Sequence, residues 1–290
     1  MTVQPADIEP EEQRGRAPAA ADYRYDPRFT PPQRVPWSQL SPYFTAAWGR
    51  ADPGNPQPEH VEEVGQTGSG KTRLMMHMLQ DRYTMRHSGA VIICTKADDT
   101  LFGQMGWPIV RQVSEVAENP NVIFWPRTRA MGNERRAYHE RQVGELLHRM
   151  WRPRANTIVA FDEVGYVENL SSDMRALVQQ YWREGRSVGI TVLAMKQRPQ
   201  GALRDMHSET SWTIAFAPKD RGDLERWAEL FGARRDWMPV FDSLDPDRHE
   251  FIIRHSRSRE AYISWVDVEL VPQKVKEGRG YEARVRGRST

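Results

Sequence analysis

From about residue 57 onward, short apolar runs alternate with amphipathic stretches. The runs at 60–64, 90–94 (AVIIC), 121–125 (NVIFW), 157–161 (TIVAF), 189–194 (GITVLA), 211–216 (SWTIAF) and 250–253 read as strands. Several are continuously apolar and rich in β-branched residues, as expected for strands covered on both faces of a parallel sheet. Between them, residues 170–182 set Leu170, Met174, Leu177, Val178, Tyr181 and Trp182 on one helical face, with Asn169 or Ser171 as the cap. Residues 133–151 arrange Tyr138, Leu146, Leu147, Met150 and Trp151 in the same way. These aromatics read as core rather than as a ligand platform. Strand alternating with helix predicts right-handed crossovers and an α/β, doubly wound, mainly parallel sheet flanked by helices.

The flanks differ. Residues 1–56 are rich in Pro, Ala and charged residues, and read as an extended N-terminal arm. Within it, VPWSQLSPYFTAAWGR carries Trp37, Tyr43, Phe44 and Trp48, which suit docking on the chain's own domain or on a neighbouring subunit. Residues 57–270 form the expected α/β domain. Residues 271–290 form a basic tail in which Lys274, Lys276, Arg279, Arg284, Arg286 and Arg288 outnumber Glu277 and Glu282. Such a tail is either a solvated end or a phosphate-contacting arm.

Composition narrows this picture only slightly. At 290 residues, 39% hydrophobic and 28% charged, the chain is globular, with room for one large α/β domain and extensions. The formal charge of +2 neither demands nor excludes nucleic acid. Cys94 is the only cysteine, which rules out an intrachain disulfide or a cysteine zinc cluster. No apolar run approaches the roughly 20 residues of a membrane-spanning helix. The first residues lack the basic and apolar regions of a signal peptide. The expectation is a cytoplasmic protein without a membrane segment.

The candidate chemistry begins at HVEEVGQTGSGKTRL. Gly65, Gln66, Thr67, Gly68, Ser69, Gly70, Lys71 and Thr72 satisfy G-x-x-x-x-G-K-[ST]. Gly65, Gly68 and Gly70 let the backbone curl until successive N–H groups aim at one anion. Lys71 is placed to reach the β- and γ-phosphates, and the Thr72 hydroxyl to ligate Mg²⁺. The helix that follows directs its N-terminal dipole at the same phosphates. Glu62 and Glu63 break the pattern, because apolar residues are usual in the preceding strand. At least one must enter a packed layer, where it needs a partner or a place in the site.

TIVAFDEVG ends an apolar strand with Asp162 and Glu163. The first suits Mg²⁺, and the second suits a general base that polarises water. An adjacent Asp-Glu pair favours hydrolysis over phosphoryl transfer to a small molecule. The next strand ends at Gln197, placed to lie between the carboxylates and the γ-phosphate. Before that strand, YWREGRSVG supplies Arg183 and Arg186. Either arginine complements the end of a helix dipole, or it enters a neighbouring active site in a ring.

Together, HVEEVGQTGSGKT, AFDEVG and GRSVGITVLAMKQRPQGALRD resemble the successive motifs of the HerA/FtsK superfamily of P-loop ATPases. TKADDTLF and VFDSLDPDRHEFIIRH are similar to the same group. The resemblance covers roughly residues 57–255. It implies a RecA-like (ASCE) core that binds ATP and Mg²⁺, assembles into a ring and pumps double-stranded DNA. A hexamer is usual, with a pentamer as the other stoichiometry. By position it makes Lys71 and Thr72 nucleotide and metal ligands, Asp162 and Glu163 the metal and catalytic carboxylates, and Gln197 the sensor. Arg186 is the better finger candidate, with Arg183 and Arg198 nearby. Without a membrane segment, N-terminal barrel or nuclease domain, the chain is most like viral genome-packaging ATPases, which implies a capsid or portal partner. A DNA-transfer motor of a mobile element, an ATP-dependent switch and a protein-transport ATPase are the alternatives. Residues 99–108 and 198–206 are candidate DNA-contacting loops.

Overall fold

A computed structural model describes residues 29–48, 59–86, 88–116, 121–153, 155–197 and 209–272. The apolar runs become strands at β2 (Val61–Val64), β3 (Gly89–Ile93), β5 (Asn121–Phe124), β6 (Thr157–Phe161), β7 (Ile190–Lys196), β8 (Trp212–Phe216) and β9 (Phe251–His255). Three short strands complete the sheet: β1 (Gln33–Arg34), β4 (Ile109–Val110) and β10 (Ala261–Ser264). Their two to four residues carry too little alternation for a period-two pattern to register.

The described strands form one sheet in the order β1-β10-β9-β8-β2-β7-β6-β3-β5-β4. Every pairing from β8 to β4 is parallel. β9 runs antiparallel to β8 and to β10. The result is the expected doubly wound, mainly parallel sheet with an antiparallel extension at one side. The order has one consequence for the site. β2, which leads into the phosphate loop, is separated from β6, which leads into Asp162, by a single strand, β7. Since all three are parallel, their C-terminal ends open on one edge.

Helices cover both faces. On one face lie α1 (Trp37–Trp48) and α2 (Lys71–Arg86), with Trp37, Phe44, Leu74, Met75 and Met78 among the buried residues of a cluster that spans the sheet. α1 lies in the segment read as an arm, and its aromatic residues dock on the chain's own sheet. Trp37 packs edge-on against Phe251, and Phe44 against Trp212. The arm boundary at residue 56 and the tail beyond 272 lie outside the described residues. On the opposite face, α4 (Gly132–Met150), α5 (Val164–Glu168) and α6 (Ser172–Glu184) cover one end of the sheet. The region read as one helix over 170–182 starts instead at Ser172. The Ser171 hydroxyl accepts the Met174 N–H at 3.2 Å and so caps it. α7 (Arg221–Phe231) and α8 (Arg234–Asp242) cover the other end. A four-residue α3 (Val113–Val116) precedes β5. Among the described residues, no helix is long and apolar enough to cross a membrane.

The two clusters on this second face meet at β2 and β7, and the seam between them is charged. Strand alternation sends Glu62 there. Lys196 Nζ lies 2.8 Å from Glu62 Oε1, with both side chains almost wholly buried. The partner that strand residue requires is therefore a lysine 134 positions away. Glu168 joins from α5. Burial pushes its carboxyl up to about 7, against the pull of Lys196 and Arg175. Burial thus weakens the charge that the second carboxyl sets beside the one ammonium. Removing one member of a buried ion pair leaves an uncompensated charge, whereas replacing both by apolar residues does not. Lys196→Met should therefore lower unfolding stability by about 3–5 kcal/mol, and Lys196→Met with Glu62→Leu should recover most of that loss in denaturant titrations. A double variant no more stable than the single one would contradict the pairing.

Candidate active site

The loop 65–70 leaves β2 and turns into α2 within a few residues. Gly70 holds φ +101° and Gly68 φ +83°, conformations that a side chain disfavours. Gly65 is required for a different reason. A Cβ there would lie 2.7 Å from both Phe216 Cβ and Ser69 Oγ, so the loop closes only without one. Lys71 Nζ donates to the Gly65 carbonyl and, at 2.9 Å, to the Gln66 carbonyl, curling back over the loop that carries it. Ser69 Oγ is buried within the loop without a hydrogen-bond partner.

Three carboxylates face Lys71. Burial lowers its pKa, and Glu63, Glu163 and Asp162 oppose that change. Glu63 points to the α2 side of the sheet, with both carboxyl oxygens lacking hydrogen-bond partners, and burial raises its pKa well above the ordinary carboxylate range. The second strand glutamate thus lies beneath the phosphate loop beside its lysine. Asp162 is also buried, and its pKa is raised by that burial against the pull of Lys96. Glu163 is half-buried at the start of α5. Burial raises its carboxyl, while a hydrogen bond from Gln197 and the charge of Lys71 pull it down. The Glu163–Gln197 contact follows from strand order, because β7 ends between the phosphate loop and the carboxylates.

Arg186 is elsewhere. It sits in a 3₁₀ turn, Gly185–Val188, that precedes β7. That turn is at the opposite end of the strand from Gln197, roughly 20 Å away at about 3.3 Å per residue. Its guanidinium pairs with Glu209 at 3.0 Å. His60 ties this end of the fold together. Its Nδ1 accepts the Val192 N–H at 2.9 Å, and its Nε2 donates to the Trp182 carbonyl at 3.0 Å. Burial, aided by the charge of Arg186, lowers its pKa to about 3 and keeps the ring neutral. Arg183 is exposed in the last turn of α6. Arg198 and the loop 198–206 lie outside the described residues. In the other candidate DNA loop, 99–108, Phe102, Met105 and Trp107 are core residues, leaving Thr100, Gly103, Gln104 and Gly106 exposed.

A cavity of about 640 Å³ opens beside the loop, large enough for a nucleoside. Its walls include Gln66 and Gly68 on one side and Phe216, Arg221, Phe241 and His249 on the other. These wall residues come from β8, α7, α8 and the turn before β9, where the sequence shows no nucleotide motif. Lys96, which reaches Asp162 from the end of β3, also went unidentified by sequence reasoning. Its signals are its place two positions beyond the run AVIIC and within TKADDTLF, to which the resemblance attaches no single residue role.

The parts fit a magnesium nucleotide. The loop closes on glycines, a hydroxyl within it lacks a partner, and its lysine lies among carboxylates. Among the described residues, no group of three His, Cys, Asp or Glu forms a self-sufficient metal site. A metal held by Thr72 and Asp162 would complete its shell with nucleotide oxygens and water.

No protein-family model matches the chain, and no curated protein matches it. Solved structures do. The genome-packaging NTPase of Sulfolobus turreted icosahedral virus 2, in complex with sulfate, superposes with a TM-score of 0.55 at 15% identity, covering 73% of this chain and 98% of that one. The DNA-packaging ATPase of Sulfolobus turreted icosahedral virus gives 0.54 at 14% identity, covering 72% and 98%. The virus 2 protein in complex with AMPPCP gives the same TM-score, identity and coverage. At such identities the likeness is one of fold. That fold is RecA-like, as the motif resemblance implied.

Proposed function

We propose that this chain is an ATP-hydrolysing motor that translocates double-stranded DNA as a ring and packages a viral genome. The observation that carries the hydrolytic part is the convergence of the phosphate loop, the Asp162-Glu163 pair and Gln197 on one sheet edge, with Gln197 bonded to Glu163. The backbone N–H groups of residues 66–72 and the Lys71 ammonium bind the triphosphate. The 640 Å³ cavity takes the adenosine. The Thr72 hydroxyl and the Asp162 carboxylate would hold Mg²⁺, which would supply positive charge to the bound triphosphate. Glu163 accepts a proton from the attacking water, and Gln197 orients that carboxylate.

Arg186 is too far along β7 to reach its own phosphate loop, so its catalytic role is in trans, at a neighbour's γ-phosphate. A shared site of this kind needs a neighbouring subunit, which the proposed ring, hexameric or pentameric, supplies. Double-stranded DNA passes through its channel, and a capsid or portal protein receives it in the host cytoplasm. The DNA part rests on the motif resemblance and on the likeness of fold to two packaging enzymes. It is tested by ATPase assays with and without long duplex DNA. Stimulation that weakens as salt rises is expected, because phosphate contacts release counterions. Unchanged hydrolysis with saturating duplex would favour a switch or a protein-transport motor.

A further inference from the structure

Lys96 belongs to the TKADD segment after β3, and hydrolysis as described above makes no use of it. Its Nζ lies 2.9 Å from Asp162 Oδ1 and 3.3 Å from Asp99 Oδ2. The backbone beneath it is fastened from several directions. Trp125 Nε1 donates to the Lys96 carbonyl at 2.8 Å, and Arg135 donates to the Thr95 carbonyl at 2.8 Å. Asp99 Oδ1 accepts the Leu101 N–H at 2.9 Å. A rigid loop therefore delivers this side chain to the edge where the catalytic strands end. The Asp162 side chain is fully buried, but that of Lys96 is 37% exposed. The ammonium thus bridges a buried carboxylate and the open side of the site. Lys71 lies near enough to Lys96 and Asp162 for both charges to act on its ammonium.

Charge balance makes this placement informative. Glu63, Asp162 and Glu163 all face Lys71. A triphosphate seated on the loop adds anionic charge against these carboxyls. We infer that Lys96 is a second ammonium ligand for the terminal phosphate of the bound nucleotide, held ready by Asp162 and Asp99. This rests on the nucleotide-binding reading above. It assigns Lys96 to telling ATP from ADP, because only the triphosphate extends from Lys71 toward Asp162. Lys71 contacts both nucleotides, and Lys96 contacts one.

The test uses the full-length chain and an amine-reactive label read by mass spectrometry. A non-hydrolysable ATP analogue with Mg²⁺ should protect both Lys71 and Lys96, whereas ADP with Mg²⁺ should protect Lys71 alone. Equal Lys96 reactivity in the two states would overturn the inference. Lys71 unprotected by either nucleotide would instead remove the nucleotide-binding reading on which it rests. Affinities provide a second readout. In a Glu163→Gln background, Lys96→Gln should weaken ATP binding about ten- to hundredfold, the range for a hydrogen bond to a charged group. ADP affinity should stay within about threefold, because ADP lacks the phosphate at issue. An equal loss for both nucleotides, or no loss for ATP, contradicts the assignment. The labelling arm decides the matter without any substitution, should Asp162 tolerate none at Lys96.

Discussion

Arg186→Ala is expected to nearly silence hydrolysis while leaving ATP affinity of the isolated chain largely intact. An arginine supplied across an interface contributes roughly 10³–10⁵ in rate, or about 4–7 kcal/mol of barrier. The position of Arg186 sharpens this expectation. It stands at the far end of β7 from Gln197, so no change in its own subunit's site accounts for a loss of that size. Its contact within the chain is a partly exposed ion pair with Glu209, worth about 0–1 kcal/mol. The variant should therefore fold. Mixing separates a shared site from a structural role. Arg186→Ala subunits and Lys71→Ala subunits are each inactive alone. A mixed ring contains interfaces that join an intact arginine to an intact phosphate loop. Recovery of DNA-stimulated ATPase in the mixture is the predicted result. Full activity of Arg186→Ala by itself would end the assignment, and Arg183→Ala, on the exposed last turn of α6, would be the next substitution to measure.

Glu163→Gln should bind ATP and fail to turn it over. General-base catalysis contributes about 10²–10⁴ in rate, and the amide keeps the size of the carboxyl without its basicity. Partial burial raises the proton affinity of Glu163, which suits a group that must accept a proton from water. Lys71→Ala should fail one step earlier, at binding, because the charge-assisted contact to the phosphates is lost. Calorimetry and single-turnover assays distinguish the two defects. Parent-rate hydrolysis by Glu163→Gln would show that the base is another residue.

The phosphate loop was legible because its geometry is local. Glycines within six residues, a lysine and a hydroxyl define it without reference to the rest of the chain. The central strands were legible because burial on both faces leaves unbroken apolar runs. Gln197 could be read from its position at a strand end, once β7 was seen to follow the carboxylate strand. What escaped notice is long-range. Glu62 reads as an anomaly until Lys196 arrives from β7, and Lys96 reads as a loop lysine until β3 and β6 pair in register. The α7–α8 lobe escaped although Leu224, Trp227, Phe231, Trp237 and Phe241 form its core. Gly232 at φ +149° separates its two short helices, and Pro239 falls inside the second, so neither presents a long helical period. α1 was hidden by composition, since Pro42 and the surrounding proline-rich sequence suggested an extended arm.

The central claim is that hydrolysis at this edge of the sheet moves duplex DNA through a ring. Electron microscopy of the full-length chain with a slowly hydrolysed ATP analogue and duplex DNA tests it most directly. The account predicts a closed ring with duplex density along its central channel and Arg186 of each subunit directed at the nucleotide of the next. Monomers that hold nucleotide without DNA, or rings whose channel excludes the duplex, would contradict it.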